Sequence, residues 1–276
     1  MQTAGTSLEK MRNVTDEIVT SEAGSFNENR IENREMRSQH QEDQTFEEMR
    51  IGRQYLKYTF FKLLPSWRVQ DKDSREAAKD AFRKIWTKFS ERMIVKSFSL
   101  FGTRGDADFM LWTISERLED FQELISEILK SLIGRYVSVP YSYLSMTRRS
   151  EYIRDHRHPG QEGDALKKVP GDSRYLFVYP FVKKREWYNL PSEERQRMML
   201  DHIRKGHKFP SVKINTSYSF GLDDQEFVLS FETDYPSDFL ELVMALRSTE
   251  ASRYTELEVP IFTCVSSPID ELLQLF

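Results

Sequence analysis

At 276 residues, 39% of them hydrophobic and 30% charged, the chain is long enough for one large domain or two ordinary ones and can bury a substantial core. Its net charge of −4 gives no reason to expect a nucleic-acid partner, and a lone cysteine, Cys264, excludes an intrachain disulfide and a cysteine metal cluster. No apolar run approaches the ~18 residues a membrane span needs, and the first residues lack the basic-then-apolar order of a secretory signal, so a cytoplasmic setting is expected.

Residues 1–45 are rich in Glu, Asn, Gln, Arg and Ser without a sustained apolar period, which predicts a disordered or loosely helical tail in which His40 has no ligand role. Residues 46–146 carry the first patterned block. Gln54 to Pro65 has strand character, and Ser74 to Met93 repeats Ala78, Phe82, Ile85, Trp86 and Phe89 as a helical stripe. Ile94 to Phe101 and Ala107 to Ser115 are apolar strands around the turn Gly102-Thr103-Arg104-Gly105-Asp106. A helix over Leu118 to Leu132 and a strand over Val139 to Met146 complete the order βαββαβ. Residues 147–173 are polar, with Gly and Pro, and form a linker loop long enough to be functional.

Residues 174–265 repeat the order. Tyr175, Phe177, Tyr179 and Phe181 alternate with Leu176 and Val178, a strand with a buried face, and Pro180 places Tyr179 near the strand's end or an edge. Pro191, Glu193 and Glu194 start a helix in which Met198, Met199, His202 and Ile203 share one face. A hairpin (Ser211 to Phe220, Gln225 to Glu232), a helix (Ser237 to Ser252) and a strand (Val259 to Val265) follow, and residues 266–276 are left as a C-terminal tail. Phe-Gly precedes the hairpin turn in both halves, so Gly102 and Gly221 punctuate turns and do not cradle phosphate; Asp223 and Asp224 read as turn carboxylates. The fold class is therefore α+β, two ferredoxin-like repeats packed sheet against sheet, with a cavity expected between one sheet and its own helices.

The run YPFVK, the following WYNLPSEER and the closing Asp201-His202 resemble the core signature of the chlorite dismutase superfamily, nearest to its coproheme decarboxylases of the actinobacterial type, over roughly Phe46 to Val265. The resemblance implies a dimeric α/β-barrel fold, a ring of subunits (most often a pentamer), and iron-coproporphyrin III as substrate and redox centre, converted to haem b by hydrogen peroxide. It also implies a ferrochelatase of the coproporphyrin pathway as a partner. By resemblance His202 is the proximal iron ligand, Tyr179 the redox-active phenol, and Lys183 a propionate neighbour. Arg247, Ser252 and Tyr152 match propionate-binding positions, and Trp187 a tryptophan at the haem edge. His156 matches a distal base, with His158 as the alternative. Glu250 stands near the carboxylate that contacts the proximal histidine in chlorite dismutases.

Read on spacing alone, His202 and Tyr179 fit core packing better than chemistry, and it is the resemblance that reverses the reading. Asn215, thirteen residues past His202, stands where chlorite dismutases carry an arginine, and an asparagine brings no charge to an anionic transition state. Three functions follow: peroxide-dependent decarboxylation, a haem-binding or haem-sensing protein without that activity, and chlorite dismutation, which Asn215 disfavours.

Overall fold

A computed structural model describes residues 52–152 and 166–276. The first repeat runs β1 (Tyr55–Leu63), α1 (Lys72–Ser90), β2 (Ile94–Ser99), β3 (Phe109–Ser115), α2 (Leu118–Lys130) and β4 (Val137–Met146). The second runs β5 (Tyr175–Lys183), a short α3 (Arg185–Asn189), α4 (Ser192–Gly206), β6 (Lys213–Tyr218), β7 (Phe227–Thr233), α5 (Pro236–Arg247), β8 (Thr255–Leu257) and β9 (Phe262–Ser266). The stretch expected as a tail contains α6 (Ile269–Gln274).

Each repeat has the ferredoxin-like strand order, β4-β1-β3-β2 and β9-β5-β7-β6. The two sheets join at both edges. Phe98 and Ser99 of β2 pair with Ser266 and Val265 of β9, and Met146 of β4 pairs with Tyr218 of β6. These ladders are short, and side chains reinforce them. Ser97 Oγ donates to the Ser267 carbonyl at 2.6 Å. At the other seam the Leu144 N–H donates to Asp223 at 2.6 Å while Ser219 Oγ donates to the Leu144 carbonyl at 2.7 Å. The turn carboxylate thus clamps one repeat to the other, and the β5–β7 pairing completes a closed barrel without free edges in its wall.

The period-2 alternation decides what goes where. Leu56, Tyr58, Phe60, Met110, Trp112, Leu176, Val178, Phe262 and Cys264 point into the barrel and are buried there. Phe60 stacks on Phe262 at 3.9 Å, one ring from each repeat. The opposite faces take the helices. Over the first sheet a single continuous cluster joins Phe61, Phe82, Phe89, Phe109 and Leu124 to Ile269, Leu272 and Leu273 of α6. Burying each of those leucines contributes roughly 1.5–3 kcal/mol, which explains why the last residues fold back. Over the second sheet the apolar contacts form two separate clusters, one around Phe177, Tyr179, Phe231 and Phe239, the other around Trp187, Met198 and Ala251.

Candidate functional site

Tyr179, Phe181 and Lys183 are spaced by two along β5 and face α4 and α5, opposite to Leu176 and Val178. Pro180, with no N–H to give, falls in a gap along one edge of β5: pairing with β9 ends at Val178 and pairing with β8 starts at Val182. The strand runs from Tyr175 to Lys183, and the proline marks a gap along its edge. Tyr179 is 6% exposed and stacks on Phe231 at 5.7 Å. Burial raises its phenol well above the usual tyrosine range; Glu258 adds to this and Arg247 opposes it.

Lys183 bridges the two clusters. Its ammonium lies 5.4 Å from the Phe181 ring and 4.6 Å from the Trp187 ring, and donates to the Ala251 carbonyl at 2.7 Å. Burial lowers its pKa to about 8, with the charge of Glu226 working the other way. Glu226 accepts from the Lys183 N–H at 2.8 Å and from the Tyr188 hydroxyl at 2.6 Å, so one carboxylate holds the end of β5 and α3 together.

His202 comes from α4, whose first turn carries Glu193 and Glu194 and whose last turn carries Arg204 and Lys205, as the macrodipole favours. Its Nδ1 is 2.9 Å from Thr249 Oγ1, and that oxygen is 2.6 Å from the Leu246 carbonyl. A carbonyl oxygen has no proton, so the Thr249 hydroxyl donates to Leu246 and must accept from His202 Nδ1–H. This assigns the tautomer and leaves Nε2 with its lone pair. Burial pulls the imidazole down to about 4, the nearby charge of Lys183 adds to that, Asp201 opposes it and Lys205 adds again. A neutral imidazole with an open Nε2 is the form that binds a metal. Among the described residues no group of three or more His, Cys, Asp and Glu is gathered to hold an ion.

The other residues singled out in the sequence divide. Trp187 is 3% exposed, tilted against Tyr254 at 5.4 Å, and Tyr152 packs into the same cluster, its carbonyl accepting from Gln196 at 3.1 Å. Burial, followed by Glu151, raises the Tyr152 phenol to about 12. Arg247 pairs with Glu258 at the surface, and Ser252 Oγ sits 2.6 Å and 2.7 Å from the Arg247 and Thr249 carbonyls, satisfying the end of α5. His156 and His158 lie outside the described residues.

Two expectations are corrected. Glu250 pairs with Arg197 at 2.9 Å, and the group that contacts His202 is its neighbour Thr249. Asn215 does not face the helices: it is paired with Ser230, whose hydroxyl accepts from Tyr58 inside the barrel, and it donates to buried Glu232 at 2.9 Å. Its neighbour Ile214, paired with Phe231, stands on the helix side instead. Thr249, Glu226 and Ile214 carry no sequence signal of their own; only strand register and the packing of α4 on the end of α5 reveal them.

With this geometry in hand, comparison with known proteins is specific. The chlorite dismutase family profile matches residues 75–267. The coproheme decarboxylase of Mycolicibacterium smegmatis (strain ATCC 700084 / mc(2)155) is 30% identical over 221 residues, 79% of this chain and 92% of that protein. Among solved structures, the chlorite dismutase from Candidatus Nitrospira defluvii in complex with imidazole superposes with a TM-score of 0.73 at 25% identity, covering 80% of this chain and 94% of that one. A heme-binding protein from Thermus thermophilus shares the fold, with a TM-score of 0.72 at 23% identity over 80% and 94% of the two chains. A profile match across both repeats, a relative matched along most of its length and a common barrel lead to one conclusion: the chain belongs to the chlorite dismutase family.

Proposed function

We propose that this protein binds iron-coproporphyrin III and, with hydrogen peroxide, oxidatively decarboxylates two of its propionates to give haem b. The observation that carries the reading is the locked imidazole of His202, neutral and open at Nε2, near enough to Lys183 for that charge to act on the ring. A metal held by one histidine, with no cluster of ligands among the described residues, suits an ion that arrives already chelated by a macrocycle. The divided apolar packing of this layer supports a large guest, and the donors on both sides fit its rim: Lys183 from β5, Trp187 from α3 and Tyr152 from the linker.

When bound, an iron porphyrin with peroxide supplies a one-electron oxidant. The chain's residues do the rest. His202 holds the metal through Nε2, and Thr249 keeps that atom free of a proton. Lys183 offers its ammonium to a propionate carboxylate. Tyr179, kept protonated by burial, gives up an electron and its phenolic proton, then takes a hydrogen atom from the propionate carbon next to the ring. Loss of a second electron and of carbon dioxide leaves a vinyl group; each propionate consumes one peroxide, which is reduced to two waters. Ile214 brings no cation over the pocket from β6, which weighs against chlorite chemistry.

The test is a titration of the protein with coproheme, addition of peroxide, and mass spectrometry of the porphyrin. Wild-type protein is expected to release two carbon dioxide equivalents, and Tyr179→Phe to bind the substrate without converting it. Binding without mass loss in the wild type would leave a haem-binding protein, and normal turnover by Tyr179→Phe would remove the radical role.

A further inference from the structure

The cations of α4 are Arg195, Arg197, Arg204 and Lys205. Arg197 pairs with Glu250 at 2.9 Å, and Arg204 and Lys205 with Asp201 at 4.0 Å and 3.8 Å. Arg195 differs. Its Nε is buried with no hydrogen-bond partner, and among the described residues no carboxylate pairs with its guanidinium. It stands on the stripe Arg195, Met198, Met199, His202, two helical turns or about 10.5 Å along the axis from the imidazole. Its charge acts on the phenol of Tyr152, which packs against Trp187.

The side chain is half-buried, and a guanidinium nitrogen withdrawn from water without an acceptor is costly; a ligand carboxylate would complete it. Of the described carboxylates in this cluster, Glu226 is engaged by Tyr188 and the Lys183 N–H, and exposed Glu151 is hydrogen-bonded to the Tyr152 phenol. We infer that Arg195 is a substrate-binding residue whose planar fork takes a propionate carboxylate of the iron porphyrin, a role that rests on the proposed function.

The test compares full-length wild type, Arg195→Leu and Arg195→Lys by absorption titration with ferric coproheme and with its tetramethyl ester, which has the same ring and no charge at the rim; thermal melts of the ligand-free proteins check folding. The Arg195→Leu variant is expected to bind coproheme about tenfold to a hundredfold more weakly. Its affinity for the ester should be unchanged, and Arg195→Lys should recover part of the loss. Equal coproheme affinity in Arg195→Leu overturns the assignment, as does an equal loss for coproheme and ester, which marks a structural role. Failure of the wild type to bind coproheme overturns the proposed function itself and this inference with it.

Discussion

Thr249 stands between His202 and Leu246 as a relay with a fixed direction: it accepts from Nδ1 of the imidazole at 2.9 Å and donates to the carbonyl at 2.6 Å. A hydroxyl in this place holds the ring without pulling its proton away, whereas a carboxylate would push the imidazole toward its anion and strengthen it as a donor.

Replacing Thr249 with Val should therefore loosen the metal site. We expect haem affinity to fall by roughly tenfold to a hundredfold in an absorption titration, and the iron–histidine stretch in resonance Raman to broaden as the ring loses its one orientation. Thr249→Ser should keep both. An unaltered stretch in the valine variant would show that packing alone orients His202.

Lys183 links pH to two properties with opposite signs. The unfolded chain holds this proton up to the ordinary lysine value of 10.5, while burial makes the folded chain release it near 8. Between those values the unfolded state binds more protons, so this residue makes the ligand-free protein more stable as pH rises from about 8 toward 10.5. Affinity for a carboxylate-bearing ligand should move the other way, falling as pH rises through about 8. Urea melts and coproheme titrations at matched pH check both, and Lys183→Met should flatten both.

Adjacent positions on β6 should separate cleanly. Asn215→Ala strips buried Glu232 of a donor inside the barrel and should cost about 1–3 kcal/mol in a denaturant melt, leaving the spectrum of bound haem as in the wild type. Ile214→Arg should change that spectrum, because its side chain stands on the helix side. If Asn215→Ala perturbs the haem spectrum instead, the strand register is wrong.

Leu272 of α6 is fully buried over the first sheet, and Leu272→Ala should destabilise the protein by about 2–5 kcal/mol in thermal or denaturant unfolding. The peroxide chemistry proposed for coproheme, assigned to the other repeat, should survive below the lowered melting temperature.

Much of this was readable in advance because local chemistry and tertiary structure agree. Alternation over Tyr175 to Phe181 marked β5, and the Pro191 start with the stripe to Ile203 marked α4, each because one face had to be buried. What escaped was non-local. The barrel closes through two short ladders, at Phe98–Ser99 and Met146, that leave no run of residues to recognise. Counting thirteen positions from His202 reached Asn215, but a count through the loop into β6 carries no information on which way a strand residue points, and a shift of one reverses the face. Thr249 looked like any polar residue at a helix end until α4 was laid across it. The segment after Ser266 looked like a tail because α6 is short and its leucines find their partners in α1 and α2, far away in sequence.

The two repeats are built alike yet treated differently by the chain's own last turn of helix. Over the first sheet, α6 adds Ile269, Leu272 and Leu273 to the helical layer, an internal occupant covalently supplied by the polypeptide. Twofold pseudosymmetry thus ends in single stoichiometry: the helical layer of one repeat is completed by the chain itself, and one tetrapyrrole per chain is the expected count.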